Sequence, residues 1–209
     1  MAKLYFRHGT VGSAKTLNLL AVAHNYTSQG KRVVLAKPWL DDRWGRNFIR
    51  SRAGLQREAD LLLRADSELD FESFEGASCV LVDEAQFLSV AVVDQLRELT
   101  WRYGIPVICY GLRTDFRTGL FEGSRRLFEV ADAIEEIKTT CAFCNSKAIF
   151  NLKHRDGVAT VDGPTIDLGA EEKYFPACTD CYHGQLAAAR EAEDREADEA
   201  VPATVARAG

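Results

Sequence analysis

The sequence predicts an α/β protein: a parallel sheet flanked by helices, with a small β-rich metal-binding lobe toward the C-terminus. Three observations predict it. Short apolar runs (RVVLA at 32–36, CVLV at 79–82, PVICY at 106–110) alternate with longer helical stretches, the pattern of strands covered on both faces by crossover helices. A glycine-containing loop at 9–16 joins the first apolar run to a helical stretch. Two C-x-x-C pairs, separated by 33 residues, bracket a segment of different texture near the end.

The 209 residues correspond to about one full domain plus a small appendage. Hydrophobic residues at 46% and charged residues at 27% are values of a globular protein, which excludes collagen-like, wholly disordered and disulfide-scaffold classes. No stretch approaches the ~18 apolar residues of a membrane span, and Lys3 and Arg7 interrupt the first apolar run, so a mature, cytoplasmic chain with no membrane partner is expected. The net charge of −5 and pI near 5.5 argue against non-specific nucleic-acid binding, which draws on a basic excess. Residues 185–209 carry six acids against three arginines, three of the five net negative charges, which leaves the body near neutral.

In chain order, residues 3–6 read as a strand and 8–16 as a loop. Residues 17–28 read as a helix with Leu17, Leu20, Ala21 and His24 on one face, stopped at Gly30. A buried strand at 32–36 ends at Pro38. Residues 39–54, with Arg43, Arg46, Arg50 and Arg52, read as an irregular loop lining a site. The Leu-rich, charged stretch 55–65 reads as helical or partly so. A strand at 79–82, an amphipathic helix at 90–103, a strand at 106–110 and a further strand within 134–139 complete the main domain, 1–140. A hairpin-like lobe is expected over 141–184, followed by a charged Ala/Glu-rich tail, 185–209, helical at first and disordered at its end.

Gly9, Thr10, Val11, Gly12, Ser13, Ala14, Lys15 and Thr16 match the Walker A pattern G-x-x-x-x-G-K-[ST], except that Ala14 replaces the second glycine. Successive N–H groups and a helix N-terminus cradle phosphates in such a P-loop. Lys15 would pair with the β- and γ-phosphates and Thr16 would coordinate Mg²⁺. The methyl group of Ala14 must then point away from the phosphates. Asp83, at the C-terminal end of a neighbouring buried strand, fits the Walker B position on Mg²⁺. Glu84 follows it into the same crevice, where a carboxylate can serve as general base. The fold is thus a P-loop (RecA-like) sheet.

Cys79 and Cys109 lie inside apolar runs and read as buried hydrophobes. Cys141, Cys144, Cys178 and Cys181 form the two pairs. Two such knuckles close a tetrahedral Zn²⁺ site with no open position, hence a structural one. Two disulfides or a redox dithiol are the competing readings; a reducing cytosol disfavours the first, and the second needs only one pair. His183 is a lesser alternative ligand.

The words GTVGSAKT, KPWLDDRWG with SRAG, VLVDEAQFL, CYGLRTDFRTGLF and KYFPACTDC, in this order with the two knuckles, are similar to the type II (zinc-containing) thymidine kinases. The likeness runs from about residue 3 to 183. It implies transfer of the ATP γ-phosphate to the thymidine 5′-hydroxyl, with Glu84 as catalytic base. It implies ATP contacts at Asp83 and Gln86, and an acid and an arginine, Asp41 and Arg43, beside the transferred phosphoryl group. Leu112, Phe116 and Phe121 would wall the thymine ring. Thr165, Ile166, Asp167, Leu168 and Gly169 would form the base-binding lasso loop, with Tyr174 closing over the nucleoside. Asp167 and Ala170 depart from the loop's usual composition. Mg²⁺ with ATP, structural Zn²⁺, feedback inhibition by dTTP and a homotetramer are implied in the same way.

Two other readings compete. A P-loop ATPase with a nucleic-acid-binding zinc ribbon predicts a basic lobe, but Lys147, Lys153, Arg155 and Lys173 face Asp156, Asp162, Asp167, Glu171, Glu172 and Asp180 there. A non-catalytic nucleotide-binding regulator is disfavoured by the joint presence of Lys15, Thr16, Asp83 and Glu84.

Overall fold

A computed structural model describes residues 1–43, 45–165 and 173–200, the last five of these in backbone only. Six strands, β1 (Leu4–His8), β2 (Val33–Pro38), β5 (Leu61–Leu63), β6 (Cys79–Val82), β7 (Val107–Gly111) and β8 (Ala133–Glu136), form one parallel sheet in the order β5-β2-β6-β7-β1-β8. Alternation along each strand sends side chains to two cores. Leu4, Phe6, Val80, Val82, Val107 and Cys109 meet α2 (Val90–Arg102) and α3 (Glu122–Val130) on one face. Cys79, Leu81, Ile108 and Tyr110 meet Leu19, Leu20 and Ala23 of α1 (Lys15–Ser28) on the other. Cys79 and Cys109 are fully buried, as read from their apolar surroundings.

α1 stops where expected, at Gln29 and a left-handed Gly30. α2 starts at Ser89, whose hydroxyl accepts from Val92 N. The stretch 55–65 corrects the helical expectation. Its residues form β4 (Gln56–Glu58), which pairs antiparallel with β3 (Phe48–Arg50) as a hairpin, and then the edge strand β5. The reason is tertiary: Asp60 donates from its N–H to Leu35 O (2.8 Å) and accepts from Leu35 N (2.7 Å), which sets the following leucines beside β2. α3 was missing from the sequence reading, because Gly123 weakens its first turn. A Cβ at Gly123 would lie 2.5 Å from Ala85 O, so close packing against the turn after β6 requires the glycine.

A second, three-stranded antiparallel sheet, β10-β9-β11, is built from β9 (Phe150–Arg155), β10 (Val158–Thr160) and β11 (Tyr174–Ala177). Helix α4 (Thr179–Ala200) packs Tyr182, Leu186 and Ala189, one face at i, i+4, i+7 spacing, onto Leu152, Ala159 and Ala177. The helix crosses position 184 without interruption. Residues 201–209 lie outside the described residues.

Candidate active site

The phosphate loop leaves β1 at its C-terminal end. Gly9 lies against the backbone of residue 137: a Cβ there would fall 2.5 Å from Ile137 O and 2.4 Å from Ser13 Oγ. Ala14 sits in the left-handed region, φ 62° and ψ 28°, just before α1. Glycine adopts this conformation freely, whereas an L-residue gives up about 1–2 kcal/mol. Lys15 is folded back onto the loop, with Nζ donating to Thr10 O (2.7 Å), Gly9 O (3.2 Å) and Ser13 Oγ (3.4 Å). Burial lowers its pKa to about 8, although Glu84 and Asp83 favour its charge.

Asp83 and the loop meet as expected, but not from adjacent strands. β7 lies between β6 and β1. β7 ends between them at Gly111, whose carbonyl accepts from Gly9 N at 3.2 Å and where a Cβ would come within 2.7 Å of Gln86 Oε1. Thr16 Oγ1 donates to Asp83, 3.0 Å from Oδ2 and 3.2 Å from Oδ1. A hydroxyl and a carboxylate side by side are the hard oxygen donors that suit Mg²⁺. Burial and the adjacent Glu84 push the Asp83 carboxyl up.

Glu84 follows β6 in a left-handed conformation, φ 50° and ψ 35°, which caps the short 3₁₀ turn Ala85–Phe87. Its Oε1 lies 2.7 Å from Arg43 Nη2, and its Oε2 accepts from Gln86 Nε2 at 2.6 Å. Gln86 Oε1 in turn accepts from Leu112 N at 2.9 Å. Arg43 also donates from Nε to Asp41 Oδ1 at 2.6 Å. Burial would raise the Glu84 pKa, but Arg43 and Lys15 outweigh it and hold the carboxyl below its ordinary value. Asp41 is held low in the same way by Arg43 and Lys37 against the opposing effect of burial.

One cavity of about 320 Å³ collects these groups. Of the phosphate-loop residues, Val11, Gly12, Ala14, Lys15 and Thr16 line it, together with Arg43, Glu84 and Gln86. Gly9, Thr10, Ser13, Asp41 and Asp83 stand behind this lining. Leu112, Phe116, Phe121, Thr165 and Tyr174 line the same cavity. Phe116 and Tyr174 pack at a tilt of 49° with ring centroids 6.0 Å apart, and Phe121 meets Phe87 edge-on at 5.6 Å. Ile166, Asp167, Leu168 and Gly169 lie outside the described residues.

Several residues in and around the lining escaped the sequence reading. Asn151, on β9 and buried, accepts from Val11 N and donates to Thr114 O, both at 2.9 Å. Arg117 donates from Nε to Val161 O (2.9 Å) and from Nη1 to Thr165 Oγ1 (3.1 Å), binding the lobe to the GLRTDF loop. Asp115 shapes that loop by accepting from Arg117 N and Gly119 N, each at 2.9 Å. The β3–β4 tip adds Arg50, Ser51, Arg52 and Ala53, so the stretch read as an irregular site-lining loop lines the site on a hairpin. The only sequence signal for these positions was the SRAG word and the arginine spacing.

The four cysteines of the two knuckles bring their Sγ atoms within 4.8 Å of one another. Cys144 Sγ and Cys178 Sγ stand 3.6 Å apart, too far for a disulfide. Tetrahedral Zn–S bonds of about 2.3 Å place sulfurs about 3.8 Å apart, so the group fits zinc. Backbone N–H groups support thiolates: Phe143 N to Cys141 Sγ and Ser146 N to Cys144 Sγ at 3.4 Å, and Cys181 N to Cys178 Sγ at 3.5 Å. The Ser146 N–H contact is the main reason the Cys144 pKa falls to about 6. His183 is not part of this cluster. No described helix is long and apolar enough to cross a membrane.

Comparison with known proteins agrees with this arrangement. A family model described as thymidine kinase matches residues 2–182. The thymidine kinase of Lactiplantibacillus plantarum is 44% identical over 184 residues, which covers 87% of this chain and 96% of that protein. That of Streptococcus pyogenes serotype M28 is 41% identical over 187 residues, 87% of this chain and 97% of its own. That of Chromobacterium violaceum is 42% identical over 186 residues, 88% and 99%. With a four-cysteine cluster consistent with the zinc-binding, type II members, the chain belongs to the thymidine kinase family.

Proposed function

We propose that the protein transfers the γ-phosphoryl group of Mg²⁺-ATP to the 5′-hydroxyl of thymidine, and of deoxyuridine, giving the nucleoside monophosphate and ADP. The observation that carries this reading is the single cavity lined by the phosphate loop, Glu84 and the aromatic residues Phe116, Phe121 and Tyr174.

The phosphate loop binds the triphosphate through backbone N–H groups and the N-terminus of α1. Lys15 exchanges its three loop contacts for phosphate oxygens. Thr16 and Asp83 would hold Mg²⁺, which neutralises phosphate charge when bound. Glu84 accepts the proton of the 5′-hydroxyl. Its carboxylate is kept ionised by Arg43 and aimed by Gln86, so the base is ready near neutral pH. Arg43 also lies where it can balance charge on the moving phosphoryl group. Leu112, Phe116 and Phe121 wall the flat base, and Tyr174 closes over the nucleoside. The cysteine cluster would hold Zn²⁺, which ties together the two ends of the lobe, Cys141 and Cys144 ahead of β9 and Cys178 and Cys181 after β11, and performs no chemistry itself.

Incubation with thymidine, deoxyuridine, deoxycytidine and deoxyadenosine, each with ATP and Mg²⁺, tests the reading. Monophosphate product from the first two is expected, and none from any nucleoside sinks it. The reading extends to a cytoplasmic homotetramer inhibited by dTTP, which light scattering and inhibition kinetics test directly.

A further inference from the structure

Lys37 is a charged side chain inside the sheet that the proposed mechanism leaves without a task. It lies on β2, is 1% exposed, and is not among the residues that line the cavity. An ammonium tolerates such burial only when it is paired. Its Nζ stands 2.9 Å from Asp41 Oδ2 and donates to Phe48 O, on β3, at 3.0 Å.

Asp41, itself 3% exposed, turns its other oxygen to Arg43 Nε at 2.6 Å. Arg43 reaches Glu84 with Nη2 at 2.7 Å. The contacts form an unbroken series from the β3 carbonyl through Lys37, Asp41 and Arg43 to Glu84, each 3.0 Å or shorter. Charges alternate along it. Asp41 is shared by two cations, and Arg43 by two carboxylates. Without Lys37, Asp41 is a buried anion with Arg43 as its remaining partner in this series, and the guanidinium is drawn toward Asp41 and away from Glu84.

We propose that Lys37 is a positioning residue for phosphoryl transfer, holding Asp41, and through it Arg43, in register with Glu84. The proposal rests on the reading of Glu84 as the base. Lys37 is buried and does not line the cavity, so its effect is expected on the chemical step and not on substrate binding.

The test is a single-turnover measurement with thymidine and Mg²⁺-ATP, together with the Kd of each substrate. The variants are Lys37→Met, Asp41→Asn and the double variant, with Lys37→Gln as a smaller change. Lys37→Met is expected to slow transfer at least tenfold while both Kd values stay within twofold. In the Asp41→Asn background the same substitution is expected to change the rate less than twofold, because the link is already cut.

An unchanged rate in Lys37→Met overturns the proposal. So does a loss seen mainly in the Kd values, or an equal loss in the Asp41→Asn background. Failure of both Lys37→Met and Lys37→Gln to give folded, ATP-binding protein also overturns it, since the residue is then structural. Glu84→Gln, assayed alongside, separates the two ideas: normal turnover there removes the base, whereas an inactive Glu84→Gln with an unaffected Lys37→Met removes Lys37 alone.

Discussion

Arg43 Nη2 and Glu84 Oε1 stand 2.7 Å apart, with both side chains largely withdrawn from solvent. The ion pair favours the charged carboxylate in a place where burial opposes it. Glu84→Gln keeps the shape and the Gln86 contact but removes the base. Turnover is expected to fall about 10²–10⁴-fold, with the ATP Kd within about threefold of the parent, as read by a coupled ADP assay and by calorimetry.

Lys15 sets a pH signature for ATP binding. Its pKa in the free protein is lowered to about 8 by burial, and bound phosphate favours the charged form. Binding therefore takes up a proton at alkaline pH, about half a proton near pH 8 and more above it. Affinity for ATP should hold at pH 7 and weaken as pH rises through 8 and 9. Calorimetry in buffers of different ionisation enthalpy reads the uptake, and Lys15→Met should abolish it.

Ala14 carries a left-handed backbone at φ 62°. Ala14→Gly relieves about 1 kcal/mol of that strain, partly offset by the greater freedom of the unfolded chain. A rise in Tm of a few degrees with turnover retained is expected from a thermal melt and a steady-state assay. A lower Tm would mean that the loop tolerates the methyl group without strain.

Cys178 belongs to the sulfur cluster and directly precedes α4. Cys178→Ser should lose the bound metal, read by elemental analysis as a fall from about one zinc per chain. The Tm should drop, and the KM for thymidine should rise more than the Kd for ATP, because Tyr174 and Thr165 stand on the lobe that the cluster closes.

What was legible in the sequence was local chemistry. The phosphate loop, the acidic pair after an apolar strand and the two knuckles are each written in a few consecutive residues, and the structure brings the loop to the acidic pair and the knuckles to each other. What was not legible depends on partners distant in the chain. Leu61–Leu63 reads as helical until Asp60 fastens it beside Leu35. α3 is obscured by Gly123, which the backbone carbonyls of Ala85, Gln86 and Leu88 explain. Asn151 and Lys37 look ordinary in sequence, and their importance lies in contacts to Val11, Thr114, Asp41 and Phe48. The separation of β1 and β6 by β7 likewise has no local signature.

The left-handed turn at Glu84 sets activity against robustness within one residue. The peptide geometry that directs this carboxylate suits glycine better than any side chain, so the working enzyme is held in a backbone state that its silenced forms could occupy with less tension. Of the twenty residues glycine alone escapes that tension, at the loss of a partner for Arg43, so a stabilised scaffold of this protein has to be selected by turnover as well as by melting.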